Sequence, residues 1–286
     1  MKEAVEAAVE VAFRLGVRID EPVVLRDLTN VLVHLAPSPV VARVPVTFAR
    51  ARGRAWVEKE LELATTLRDA GLPVAGPMRK LPCGPHERNG FLVTLWEYVE
   101  NDRDAALDAR AAGQGLRRIH DALADVDPDG LDHFARLDEI GTLVEAMSFG
   151  GGELEAFRRG VHAASKVVDR LDVPLQPVHG DAHQGNVLRT PSGPLWGDFE
   201  NACLGPRELD LACNEIRARA RGREPADDEF LAGYGDHDEE LVAQLIPVHA
   251  LFLAAWTFAL AERRPEMRPH AEQRLGWVVD GFGLQP

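Results

Sequence analysis

Three short β-branched runs stand almost end to end near the start of the chain: PVVLRDL (22–28), TNVLVHLA (29–36) and PVVARVPV (39–46). Joins this short cannot carry a crossover connection, so the runs read as an antiparallel meander. The segment before them, MKEAVEAAVEVAFRLG (1–16), has acidic residues set through its apolar positions and reads as an amphipathic helix, not a secretory signal. After the meander, RGRAWVEKELELATTLRDAG (52–71) puts Trp56, Leu61, Ala64 and Leu67 on one helical face and stops at Gly71. GPMRKLP (76–82) and NGFLVTLWEYVE (89–100) read as two further strands around a loop with Pro82, Gly84 and Pro85.

The pattern then turns helical. DRDAALDARAAGQGLRRIHDALA (102–124) keeps Leu107, Leu116, Ile119 and Leu123 at helical spacings, and further helices are expected over 153–171, 238–263 and 267–280. Between them, 177–212 reads as short strands and loops, and Gly150-Gly151-Gly152 as a flexible loop. The parse is α+β, with a small sheet-rich lobe over 1–99 and a larger helical lobe over 100–286. LIPVHALFLAAWTFALA (245–261) comes nearest to a membrane span, but it contains His249 and falls short of the required length; it reads as a buried helix.

At 286 residues, 45% hydrophobic and 27% charged, the chain can bury a proper core, which excludes collagen-like and disordered readings. The net charge of −14 disfavours nucleic acid and anionic membranes as partners. That charge is uneven. Residues 1–100 hold 13 basic and 13 acidic side chains, so the whole excess of acid lies in 101–286. Cys83, Cys203 and Cys213 are an odd number with no CxxC pair, which points to a reducing cytoplasm and away from disulfides or thiolate zinc.

The densest polar run is His179-Gly180-Asp181-Ala182-His183-Gln184-Gly185-Asn186, with Leu195-Trp196-Gly197-Asp198-Phe199-Glu200 a short way downstream. In both, apolar residues lead into a polar tip, as at strand ends. A carboxylate and an amide five residues apart on one loop, with a second carboxylate on a neighbouring strand, suit phosphoryl transfer. One carboxylate orients and deprotonates a hydroxyl, while amide and carboxylate oxygens hold Mg²⁺ against nucleotide phosphates.

The run HGDAHQGN (179–186) resembles the HxDxxxxN catalytic loop of the kinase-like aminoglycoside phosphotransferase family, and GDFENACLGPRELDLA (197–212) resembles that family's metal-binding segment. The resemblance implies a bilobal protein-kinase-like fold, with nucleotide between the lobes. It implies Asp181 as catalytic base, Asn186 and Asp198 as Mg²⁺ ligands, and a loop-bracing role for Asp210. In the first lobe it implies Arg43 in the place of the usual lysine, able to hold phosphates with a different, planar geometry. Glu60 is the implied partner of Arg43, ahead of Glu58 and Glu62. FLVTLWEYVE resembles the hinge, with Trp96 at its bulky position and the backbone of Glu97 and Val99 facing the base. Thr29-Asn30 resembles the Ser-Asn turn that replaces a glycine-rich loop in many members. His179 matches a structural histidine, and His120 is assigned to packing.

The expected activity is ATP- or GTP-dependent, Mg²⁺-assisted transfer of the γ-phosphate to a hydroxyl of a small molecule. The acidic second lobe and the resemblance together tilt the acceptor toward a cationic, amino-bearing molecule of aminoglycoside type. A monomer or homodimer is expected. Two alternatives stand beside this: a nucleotide-binding protein of the same fold without turnover, and a metal-dependent hydrolase built on His179, Asp181 and His183.

Overall fold

The computed structural model describes residues 1–47, 49–147, 149 and 151–279. They fall into two compact units. One holds Met1–Ala122, Gln184–Glu200 and Ala232–Tyr234; the other holds Leu123–His183, Asn201–Leu231 and the chain from Gly235 on. Each unit is discontinuous in sequence, so the compact division crosses the chain several times and does not fall at one point near residue 100.

The first unit is built on the meander. Strands β1 (Ile19–Asp27), β2 (Asn30–Pro37) and β3 (Val40–Pro45) are followed by β4 (His86–Arg88) and β5 (Phe91–Glu97), in antiparallel order β1-β2-β3-β5-β4. The two-residue pleat sorts their side chains. Val31, Val33, Leu35, Val40, Ala42, Val44, Val93 and Leu95 go to one face, where helix α1 (Lys2–Arg14) covers them with Ala4, Ala7, Ala8, Val11 and Ala12. Leu32, Arg43 and Thr94, in register across three strands, fall on the opposite face with Val41 and Trp96. The chemistry-bearing side of the sheet is therefore the one that α1 leaves uncovered.

Two sequence expectations are corrected in this unit. Residues 76–82 do not form a strand: the contact with β5 is a single bridge, Pro77 to Trp96, with Met78 N–H donating to the Leu95 carbonyl. Pro77 and Pro82 have no N–H to extend a ladder, and the fourth strand is instead His86–Arg88. Helix α3 (Ala109–Leu123) starts seven residues later than 102. The cause is local competition by aspartate. Asp102 Oδ1 accepts from the N–H groups of Asp104 and Ala105, and Asp108 Oδ1 accepts from Ala111 N–H, so Asp108 caps the helix and Leu107 lies outside it.

Helix α2 (Ala49–Asp69) is interrupted by Gly53 at φ +74°, and from there buries Val57, Leu61, Ala64 and Leu67. It ends as expected. Gly71 takes φ +73°, and Leu72 N–H donates to the Leu67 carbonyl in a Schellman-type closure. The hairpin of β7 (Val187–Thr190) and β8 (Gly193–Trp196) belongs to this unit because Trp196 is fully buried in it. Trp196 Nε1–H donates to the Ala112 carbonyl at 3.0 Å, and its own carbonyl accepts from Ala75 N–H.

The second unit is mostly helical. It contains α4 (Leu137–Ala146), which the sequence reading passed over, α5 (Gly151–Val168), α6 (Glu208–Arg221), most of α7 (Pro225–Tyr234), α8 (Glu239–Arg263) and α9 (Arg268–Val279). A two-strand ladder of β6 (Gln176–Val178) and β9 (Cys203–Gly205) carries the polar loop. Gly151 and Gly152 open α5 instead of forming a loop; Gly150 lies outside the described residues. Helix α8 is long and apolar enough to cross a membrane, but 78% of its most apolar window is buried inside the protein. His249 is among its buried residues, and Phe258 packs edge-on against Phe157 of α5. Residue 280, the last of the expected final helix, lies outside the described residues.

Candidate functional site

The first unit contains a cavity of about 480 Å³ against the uncovered sheet face. Leu32, Val41, Arg43 and Trp96 line it from the strands. Glu97 at the end of β5 lines it, as do Tyr98 and Val99 just beyond, and Asn186 and Asp198 line it from the segments flanking the β7–β8 hairpin. Those two segments are tied together by Gly197 N–H donating to the Asn186 carbonyl at 2.9 Å.

Arg43 is the centre of this site and is only 5% exposed. Its Nη1 donates to Glu60 Oε1; its Nη2 donates to Glu200 Oε2 and, at 2.9 Å, to Asp198 Oδ1. Burial opposes the guanidinium's charge, but Glu60, Glu200 and Asp198 outweigh it, and its pKa moves up. The carboxylates bear the opposite strain. Burial pushes Glu60 up to about 7 against the pull of Arg43, and burial with the neighbouring Asp198 raises Glu200. Of the three glutamates considered on α2, Glu60 is buried while Glu58 and Glu62 are exposed, so the helical face selects it.

Asn30, at the start of β2, is buried and donates from Nδ2 to Glu200 Oε2 at 2.9 Å. Its turn is held by the Thr29 carbonyl, which accepts from Val46 and Thr47 N–H. Asp198 adopts φ +68°, a backbone region that costs a non-glycine residue energy and concentrates at functional positions. Arg26 of β1 also lines the cavity, with Nη1 3.7 Å from Asp198 Oδ2. Three carboxylates thus share one buried guanidinium beside a buried amide. This hard-oxygen donor set fits Mg²⁺, which prefers carboxylate and amide oxygens and would relieve the excess negative charge. At the hinge segment, Glu97 N–H donates to the Gly76 carbonyl and Tyr98 N–H to the Pro39 carbonyl, while Trp96 Nε1–H donates to Thr94 Oγ1. His120 packs as expected, buried with Nδ1 2.8 Å from Tyr234 Oη.

In the second unit the loop after β6 is braced by Asp210, in the first turn of α6. Its Oδ2 accepts from His179 N–H and its Oδ1 from Gly180 N–H, both at 2.8 Å. Gly180 has φ +79°, and a Cβ there would lie 2.0 Å from the Asn201 carbonyl oxygen, so only glycine fits. The brace delivers Asp181 into a cluster of four side chains. Asp181 Oδ1 is 3.0 Å from Arg217 Nη2, 3.4 Å from Cys213 Sγ and 3.9 Å from His249 Nε2, and Oδ2 is 3.7 Å from His183 Nε2.

Burial alone would raise the Asp181 pKa, yet Arg217 and the imidazoles of His183, His249 and His179 hold it well below the usual carboxylate range. Burial, reinforced by Arg217, pushes His249 down to about 4. Burial lifts the Cys213 thiol well above its ordinary value, so it stays protonated and donates to Asp181.

The metal-like group that forms here is not the His179, Asp181 and His183 set of the hydrolase alternative. Asp181, Cys213 and His249 have donor atoms within 4.8 Å of one another. Arg217 already fills the cation's place, with Nη1 2.8 Å from Cys213 Sγ and Nη2 on Asp181. Sequence reading missed Arg26, Arg217 and His249, and it gave Glu200 no more than a structural or supporting part. Helical periodicity marks which residues point inward, but not which of those meet a loop from elsewhere in the chain.

Residues 21–252 match the sequence profile of APH, the phosphotransferase enzyme family. In structure the chain is similar to the amicoumacin kinase hAmiN bound to AMP-PNP, Ca²⁺ and Ami, with TM-score 0.75 and 14% identity over 100% of this chain and 98% of that one. It is also similar to the choline kinase LicA from Streptococcus pneumoniae (TM-score 0.69, 15% identity, 95% and 99% of the two chains). A third likeness is to a microcompartment-associated aminopropanol kinase (TM-score 0.68, 16% identity, 97% and 99%). At these identities the likeness shows a shared kinase-like fold.

Proposed function

Because the chain belongs to the phosphotransferase enzyme family, we propose that it transfers the γ-phosphate of ATP or GTP to a hydroxyl of a small molecule. The observation that carries this reading is the convergence of Glu60, Asp198 and Glu200 on Arg43 in a cavity that Asn186 also lines. The nucleotide base lies against Trp96, with the Glu97 carbonyl and Val99 N–H as its polar contacts. Asn186 and Asp198 are the protein oxygens for Mg²⁺, which when bound neutralises phosphate charge. Arg43, oriented by Glu60, and the Asn30 turn complete the phosphate end.

Asp181 orients the acceptor hydroxyl and takes its proton as the oxygen attacks the γ-phosphorus. The bond to the β-phosphate oxygen breaks, and the nucleoside diphosphate leaves. A carboxylate held so far below the usual range is a weak base. It suits a loose transition state, in which positioning and charge stabilisation matter more than early proton removal. Cys83, Cys203 and Cys213 form no disulfide among the described residues, which fits a reducing cytoplasm.

The excess acid of residues 101–286 supports an amino-bearing acceptor through the long-range field. The test of the activity is phosphate transfer from labelled ATP and GTP, with Mg²⁺, to a panel of small-molecule alcohols. Asp181→Asn is expected to lose turnover by orders of magnitude while nucleotide still raises Tm, and Asp198→Ala to lose Mg²⁺-dependent nucleotide binding. Full activity in both variants would overturn the assignment. A protein that binds nucleotide without turnover remains the second reading, favoured by the occupation of every Arg43 contact above by carboxylate; nucleotide-dependent stabilisation with no transfer to any acceptor would select it.

A further inference from the structure

Three donor atoms of different chemistry meet at the polar loop of the second unit. Asp181 Oδ1, Cys213 Sγ and a ring nitrogen of His249 lie within 4.8 Å of one another. Sγ is 3.4 Å and His249 Nε2 3.9 Å from the carboxylate oxygen. Around a tetrahedral ion with bonds of about 2.0–2.3 Å, neighbouring donors stand about 3.3–3.5 Å apart, so small side-chain movements separate the three from a coordination shell. His249 is 2% exposed, and its Nε2 has no hydrogen-bond partner among the described residues. A buried imidazole nitrogen left in that state costs the fold energy, which a ligand to it removes.

Arg217 holds the cation's place here, with Nη2 3.0 Å from Asp181 Oδ1 and Nη1 2.8 Å from Cys213 Sγ. Its side chain is 23% exposed, so it can turn out to water while the more deeply buried donors stay. The exchange keeps the local balance. Arg217 beside Asp181 and a neutral thiol is one positive charge against one negative. A divalent ion on Asp181 and the Cys213 thiolate is two against two, with the thiol proton passing to solvent. Asp210, held by the loop backbone, adds its negative field to both Cys213 and His249 and favours a cation in either arrangement.

Thiolate and imidazole select a borderline-soft ion over Mg²⁺, which asks for oxygen ligands. We infer that Asp181, Cys213 and His249 form a binding site for Zn²⁺, entered as Arg217 swings out, whose occupation switches the protein off by taking the carboxylate that orients the acceptor hydroxyl. The site stands on its own geometry; the inhibition rests on the phosphotransferase reading above.

The test titrates Co²⁺, as the spectroscopic substitute for Zn²⁺, into the chelator-washed full-length protein. A thiolate-to-metal absorption band is expected, saturating at one ion per chain and bleached by Zn²⁺. Cys213→Ser should remove the band and weaken Zn²⁺ binding by about tenfold or more, and His249→Gln should weaken it similarly. Arg217→Met takes away the competing cation and should tighten Zn²⁺ binding by about tenfold, a gain that misfolding cannot imitate. In the transfer assay with excess Mg²⁺ and saturating ATP, Zn²⁺ should inhibit the wild-type protein over the same concentrations that displace Co²⁺. A Zn²⁺-selective chelator should restore the rate.

A wild-type protein that gives no thiolate band would overturn the site, and so would a band that survives Cys213→Ser, because Cys83 or Cys203 would then be the ligand. Inhibition that retreats as Mg²⁺ is raised would assign the Zn²⁺ to Asn186 and Asp198 and overturn the switch. Zn²⁺ affinity that is unchanged or weaker in Arg217→Met would remove Arg217 as the gate. Absence of transfer to any acceptor would instead remove the phosphotransferase reading and the inhibition with it, while the Co²⁺ titration still decides the site.

Discussion

Arg43 Nη2 and Asp198 Oδ1 meet at 2.9 Å although 155 residues separate them in the chain. The same guanidinium carries Glu60 and Glu200, so one strand arginine neutralises acids from α2 and from the segment after β8. Removing its charge while leaving its bulk therefore isolates three acids, two of them buried. Arg43→Met is expected to cost about 3–5 kcal/mol of stability, as when one partner of a buried ion pair is deleted. Denaturant unfolding measures this directly. Mg²⁺ should stabilise the variant more than the wild-type protein, and a variant as stable as the parent would show that Arg43 does not hold the cluster.

Asp210 acts on Asp181 only through the backbone of the loop. Asp210→Ala leaves the His179 and Gly180 N–H groups buried without that acceptor, at about 1–3 kcal/mol each. The loss should fall on kcat, with nucleotide binding retained, because the cavity in the first unit takes nothing from Asp210. Nucleotide titration beside steady-state kinetics separates the two. Gly180→Ala strikes the same loop by sterics and should cost at least as much.

Much of the fold can be read from the residues themselves. Alternation of Val41 and Arg43 against Val40, Ala42 and Val44 is enough to place the arginine on the face opposite the α1 core, and the 3.6-residue period of α2 turns Glu60 inward while Glu58 and Glu62 face solvent. The loop of Asp181 and the brace of Asp210 were legible through the resemblance. Errors arose where local chemistry overrode periodicity. Proline broke a strand at 76–82, and aspartate caps delayed α3 to Ala109. The surroundings of Asp181 were not legible, because Arg217 and His249 lie on two separate helices and each alone reads as an ordinary helix residue.

His249 gives the protein an acid limit. Its pKa is 6.5 when unfolded and about 4 in the folded state, so between those values the unfolded chain binds the extra proton. Stability therefore falls as pH drops from 6.5 toward 4, by roughly 3 kcal/mol over the window. His249→Asn should flatten this part of the curve. Unfolding midpoints taken at half-unit pH steps provide the check, and equal slopes in the two proteins would exclude His249 as the cause.

Arg217 sets the charge state of Asp181, and its removal has a signed consequence for the rate. With the guanidinium in place 3.0 Å from Oδ1, the carboxylate stays ionised far into acid, and kcat/KM should show no fall attributable to Asp181 down to about pH 5. Arg217→Met removes the largest opposing charge while burial, which favours the protonated acid, remains. The pKa of Asp181 then rises, the neutral acid no longer accepts the hydroxyl proton, and the acid limb of the pH–rate profile moves up into the measurable range. Arg217→Lys keeps a charge without the fork that spans Asp181 and Cys213, so its limb should lie between the two. A loss of rate that is uniform across pH would instead mean that Arg217 acts on binding alone, and superimposable profiles in all three proteins would remove it from the chemistry of Asp181.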